Sequence, residues 1–266
     1  MDVKNTVKEL LDKKTYNFED LVTVMKVLRS EEGCMWDREQ THESIRNNFI
    51  EETYEVIEAI DTSDTKLLRE ELGDVLLQIV FHAEMESEKG VFNVDDVAND
   101  VCVKLIHRHP HIFSDVSVSS TADILANWET IKAKEKSRTT LTSKLRSIPP
   151  MLPALMRAEK VGKKASMLDF PTVEDVLAKL DEEIAELKAA VREGGNSEVN
   201  EELGDVLLTL SSLSRKLDVD AERALNASTT KFIDRFEKVE NECEKRGINM
   251  KESDIAVLDA IYNEVK

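Results

Sequence analysis

The chain has 266 residues, 34% of them charged, a formal net charge of -18, only 5% aromatics, 8 Gly and 5 Pro. That length buries one large or two ordinary cores, and so few Gly, Pro and aromatic residues favour helices over sheet. The acidity excludes a nucleic-acid polymer as partner, since that affinity rests on neutralising phosphates, but leaves small anions carried with a metal open.

No apolar run approaches the ~18 residues of a membrane span, and Met1-Asp2-Val3-Lys4 opens no signal-peptide core, so no membrane partner is expected. Cys34, Cys102 and Cys243 are odd in number and far apart, which fits packed or idle thiols in a reducing compartment, the cytoplasm.

In chain order, apolar periodicity predicts amphipathic helices over 1–15 and 18–29, interrupted by an irregular segment at 33–40. Helices follow at 42–60, 64–89, 94–108 and 121–137. Pro149, Pro150 and Pro153 among Ser and Thr mark a linker. Beyond it, helices are predicted at 154–166, 173–193, 197–217, 219–246 and 253–265, with Thr172 and Asp175 as a capping box and Gly194-Gly195 as a stop. The expected organisation is all-α: an N-terminal domain over 1–137, a linker over 138–153 and a C-terminal domain over 154–266.

The two domains share an acidic pattern at an offset of 131 residues. Glu51-Glu52-Thr53-Tyr54-Glu55 and Glu70-Glu71-Leu72-Gly73-Asp74 return as Glu182-Glu183-Ile184-Ala185-Glu186 and Glu201-Glu202-Leu203-Gly204-Asp205. Positions three apart share a helix face, so Glu52 with Glu55, Glu71 with Asp74, Glu183 with Glu186 and Glu202 with Asp205 each present two carboxylates together. Packed as antiparallel pairs, the helices aim four carboxylates at one place. Oxygen ligands of this kind suit a hard cation, most naturally Mg2+, with Mn2+ as a substitute. The bland alternative is a charged surface inherited by duplication.

Gly73 and Gly204 sit mid-helix, where Gly costs on the order of 1 kcal/mol, and so suggest close helix approach beside the acids. Val75 to Phe81 and Val206 to Leu210 are nearly apolar all round, predicting helices covered on every side by the other repeat or another subunit.

A basic pair repeats too: Lys104 with Arg108, and Lys231 with Arg235. It reads either as a grip on phosphates or as an exposed basic turn pairing with acids such as Glu237. His107, His109 and His111 alternate across Pro110, where the helix ends, so a zinc site there is disfavoured. Trp36, Phe81, Phe113 and Trp128 read first as packing residues, with Trp36 alternatively covering a nucleobase. The run 132–136 reads as a solvated face, and no Gly-rich phosphate loop is present.

Together with Cys34-Met35-Trp36-Asp37-Arg38-Glu39-Gln40-Thr41 and Arg108-His109-Pro110-His111-Ile112-Phe113, these blocks resemble the two-repeat MazG nucleoside triphosphate pyrophosphohydrolases over nearly the whole chain. The resemblance implies an all-α fold shared with dimeric dUTPases, a homodimer, Mg2+ dependence, and cleavage of NTPs or dNTPs to monophosphate and pyrophosphate. It implies metal ligands Glu52, Glu55, Glu71 and Asp74 in one repeat and Glu183, Glu186, Glu202 and Asp205 in the other. The second set would be catalytic together with Lys231 and Arg235 on triphosphate. Lys104, Arg108, Trp36 and Tyr262 complete the implied substrate contacts.

The chain departs from the usual family pattern at Met35, commonly Pro, at Thr229, often Asn, and at Tyr262, often Trp. Glu51, Glu55, Glu182 and Glu186 are all general-base candidates by position. Rival functions are a metal-stabilised helical interaction module and a narrower hydrolase of phosphoribosyl-ATP or alarmones.

Overall fold

The computed structural model describes residues 2–135 and 140–265, and every regular element among them is helical. Residues 136–139, where the predicted linker begins, and the side chains of Glu129, Ala133 and Lys134 lie outside this description. The basic run at 132–136 therefore falls partly outside it. The chain divides into two compact units between Ile131 and Lys132.

The first unit opens with α1 (Val3–Leu11) and α2 (Phe18–Arg29). Asn17 and Asp20 form a reciprocal capping box at the start of α2, and Lys13 pairs with Asp20. The irregular 33–40 segment contains one short helix, α3 (Met35–Glu39). Gly33 makes the preceding turn feasible, because a Cβ there would lie 2.3 Å from the Leu28 carbonyl oxygen.

Next come α4 (Arg46–Asp61) and α5 (Thr65–Ser87), then α6 (Val94–Arg108), the single turn α7 (Pro110–Phe113) and α8 (Thr121–Glu135). Helix α4 begins later than its periodicity suggests. Asp64 starts α5 by accepting from the amides of Lys66 and Leu67, so α4 and α5 are joined by three residues and pack as an antiparallel pair. Met25, Ile45, Val80, Phe81 and Met85 form the core that fixes α5 against α2.

In the second unit, the Pro-rich stretch read as linker carries a helix of its own, α9 (Leu141–Arg146), which packs on α10 (Ala154–Lys164). A 3-10 turn at Ser166–Leu168 leads to α11 (Val173–Glu193) and α12 (Asn196–Lys216). Thr172 and Asp175 cap α11 reciprocally, and Gly194-Gly195 reverses the chain into α12. Helix α13 (Ala221–Arg246) ends at Gly247 with φ 64, a left-handed conformation that suits Gly, before α14 (Ile255–Glu264). Val239, Cys243 and Ile261 form a core between α13 and α14.

Within each unit α5 and α12 are covered only in part: Leu72, Leu203, Leu207 and Leu208 are about half exposed. The expectation of close helix approach at Gly73 and Gly204 is not met within a unit, since a Cβ at either position would meet nothing within 4 Å.

Candidate metal centre

Helices α4 and α5 bring Glu52, Glu55 and Glu71 together, each offering an oxygen within 4.8 Å of the others. Helices α11 and α12 do the same with Glu183, Glu186 and Glu202. The i, i+3 spacing supplies two acids from one helix, and the short interhelical turn delivers the third from its partner. Asp74 and Asp205, one turn beyond Glu71 and Glu202, are half-buried and lie outside these trios.

Repulsion and burial act on both groups. Burial comes first among the causes that raise the Glu52 carboxyl above its ordinary range, followed by the charge of Asp74 and a hydrogen bond with Glu55. Glu71 is raised by burial, then by Glu55 and Asp74. In the second unit Glu186 is raised by burial and by its hydrogen bond with Glu183. Carboxylates crowded in this way fit a divalent cation with oxygen preference, which relieves their mutual repulsion.

The units differ in one residue that sequence reading overlooked. Lys179 Nζ lies 2.7 Å from Glu182 Oε1 and 2.9 Å from Glu183 Oε1, and these two hydrogen bonds, in that order, hold its ammonium well above the usual lysine range. A Lys three and four positions before two Glu is a visible signal, but a common one on solvated helices.

The basic pairs separate in the same comparison. Lys231 is exposed on α13, and Arg235 Nη1 donates to the Tyr262 hydroxyl at 3.4 Å, so α13 and α14 bring two expected substrate contacts together. Lys104 is exposed on α6, whereas Arg108 is buried with its guanidinium over the Trp128 ring at 5.4 Å. Trp36 is 58% exposed and Phe113 59%, so neither is core, whereas Phe81 is. His109 donates from Nδ1 to the Leu105 carbonyl at 2.6 Å, and its ring lies 5.6 Å from that of His111.

Arg29, another residue missed from sequence, holds the backbone of the short helix that carries Trp36. Arg29 Nη1 donates to the Asp37 carbonyl at 2.5 Å, while Nε and Nη2 donate to Glu88, at the C-terminal end of α5, at 2.6 and 2.9 Å. Behind it, the rings of His42 and His82 are nearly parallel with Nδ1 to Nδ1 at 2.6 Å, and His42 Nε2 meets Glu86 at 2.7 Å. With Nε2–H donated to the carboxylate, His42 Nδ1 is left to accept from His82 Nδ1–H. This chain ties the segment before α4 to α5.

Residues 40–113 and 171–240 each match the MazG nucleotide pyrophosphohydrolase domain, so both acidic trios fall inside matched segments. The chain is 45% identical over 251 residues to the "nucleoside triphosphate pyrophosphohydrolase/pyrophosphatase MazG" of Thermotoga maritima, covering 94% of this chain and 95% of that one. It is 40% identical over 253 residues to the nucleoside triphosphate pyrophosphohydrolase of Escherichia coli K12, covering 92% and 95%. A similarly named Mycobacterium tuberculosis protein is 33% identical over 247 residues, covering 91% of this chain and 65% of that one.

Proposed function

The chain belongs to the MazG nucleotide pyrophosphohydrolase family, and on that premise we propose that it is a Mg2+-dependent enzyme cleaving NTPs or dNTPs to monophosphate and pyrophosphate. The observation that carries this reading is the recurrence, on two helix pairs, of three glutamates with oxygens within 4.8 Å of one another. Glu52, Glu55, Glu71 and Asp74 hold the ion in one unit, and Glu183, Glu186, Glu202 and Asp205 in the other, with Mn2+ as a substitute. Bound there, the ion neutralises charge on the phosphates and favours ionisation of water.

The second unit is the main catalytic one. Lys231 is exposed and the Arg235–Tyr262 pair only half-buried on α13 and α14, which leaves them open to a triphosphate, whereas Arg108 is buried with its guanidinium over Trp128. Lys231 acts as a point charge and Arg235 as a planar fork, and both stabilise negative charge on the departing pyrophosphate. Water attacks in line at the α-phosphorus. Lys104 gives the first unit a weaker counterpart, and Trp36 lies exposed where a base could stack.

The enzyme acts as a cytoplasmic homodimer. The half-exposed leucines of α5 and α12 support pairing between subunits, and no helix among the described residues is long and apolar enough to cross a membrane.

The test supplies the eight common NTPs and dNTPs with Mg2+ and separates pyrophosphate from orthophosphate. Pyrophosphate from wild type, with turnover abolished in Glu202→Gln and retained in Glu71→Gln, is the expected result. Orthophosphate as sole initial product overturns the assigned bond, and turnover lost only in Glu71→Gln transfers catalysis to the first unit.

A further inference from the structure

Lys179 stands one helical turn before Glu183 on α11, and its ammonium already occupies the edge of the second acidic trio. Glu183 is 6% exposed, so its charge has lost most of its water and needs a compensating positive group. The matching position 131 residues earlier is Asn48, on α4 and uncharged. Around Glu52 and Glu71, the charges that act most strongly are other carboxylates. Two pockets built to one plan therefore differ by a whole charge.

We propose that Lys179 is an internal counter-ion that offsets the carboxylate repulsion of the second pocket without a divalent cation, whereas the first pocket, with Asn48 at the equivalent place, carries that repulsion uncompensated until a cation binds. This rests on the reading of both trios as divalent-cation sites. A cation entering the second pocket must displace Nζ from Glu183, and that competition weakens its binding. Among the described residues no ammonium or guanidinium is paired with Glu52, Glu55 or Glu71, so a cation entering the first pocket relieves unscreened repulsion. The first site is thus the tighter and more structural of the two. The second is looser, with its ion exchanged more readily.

Lys179 acts here as a positioning residue, through Glu183, and the readout is ion binding rather than turnover. The full-length chain is stripped with EDTA and titrated with Mn2+, bound ion being followed by its paramagnetic resonance signal. Two classes of site are expected, the tighter lost in Glu71→Gln and the weaker in Glu202→Gln. Lys179→Met should tighten the weaker class about fivefold, and Asn48→Lys should loosen the tighter class by a similar factor. Lys179→Arg, which keeps the charge, should bind as wild type does.

Hydrogen exchange gives a second readout. In EDTA, α4 and α5 should exchange faster than α11 and α12, and Lys179→Met should remove that difference. Equal classes of site, or an unchanged Mn2+ affinity in Lys179→Met, overturn the proposal while leaving the metal reading intact. No bound Mn2+ in either unit overturns the metal reading itself.

Discussion

Arg215 donates through Nη1 and Nη2 to both carboxylate oxygens of Asp169, at 2.5 and 2.6 Å, clasping the end of α12 to the turn that leads into α11. The side chains are only 13% and 11% exposed, and Lys216 adds a contact at 3.1 Å.

Arg215→Met should therefore destabilise the second unit by about 2 kcal/mol, the usual loss for a hydrogen-bonded charged partner. Pairing with Arg215 holds the Asp169 carboxyl well below the ordinary range. A depressed folded-state value means the stabilisation is complete above the unfolded value near about pH 4 and disappears as the pH falls further. Thermal unfolding between about pH 2 and about pH 7 checks this, with Asp169→Asn flattening the acid limb.

Gly162 on α10 touches that same guanidinium. An added Cβ would lie 2.9 Å from Arg215 Nε and 3.2 Å from Nη2. Gly162→Ala should thus cost about 1 kcal/mol or more through displacement of the arginine, despite the better helix propensity of Ala. A stabilised variant in chemical denaturation would count against this contact.

Leu207 is 46% exposed on the apolar face of α12, beside Gly204 and Leu208. Leu207→Glu should leave each subunit folded and convert the proposed homodimer to monomer. Sedimentation velocity reads the mass, and circular dichroism the fold. An unchanged mass would assign the subunit contact to another face.

The first acidic trio sets a pH dependence in the metal-free chain. Glu52 and Glu71 have folded-state values above the ordinary one. Their contribution is therefore present below the unfolded carboxylate value and lost as the pH rises through the folded value. Without metal, the melting temperature should be lower in Glu71 wild type than in Glu71→Gln at about pH 8, and the two should converge at about pH 4. Mg2+ should raise wild type alone at the first site. Indistinguishable melting curves at about pH 8 would contradict the repulsion.

Much of the site is legible in local spacing. Glu52 and Glu55, or Glu183 and Glu186, need only a helix to share a face, and the capping pairs at Thr172 and Asp175 mark where α11 must begin. The trios themselves require one more fact, the short antiparallel turn, which Gly194-Gly195 also signals. The basic pairs are harder to read. Lys231 with Arg235 and Lys104 with Arg108 look alike in sequence, yet Arg235 meets Tyr262 while Arg108 is packed under Trp128.

Helix periodicity and the doubled acidic spacing are properties of neighbours along the chain, so the all-α class, the repeat and most of the carboxylate set follow from them. Contacts made across long separations follow no such rule. Arg29 reaching Glu88, Asp169 reaching Arg215, and the half-exposure of Leu203 and Leu207 depend on how helices pack. That Lys179 bridges Glu182 and Glu183 is settled likewise by a rotamer among folded neighbours, because charge pairing is a matter of distance in space.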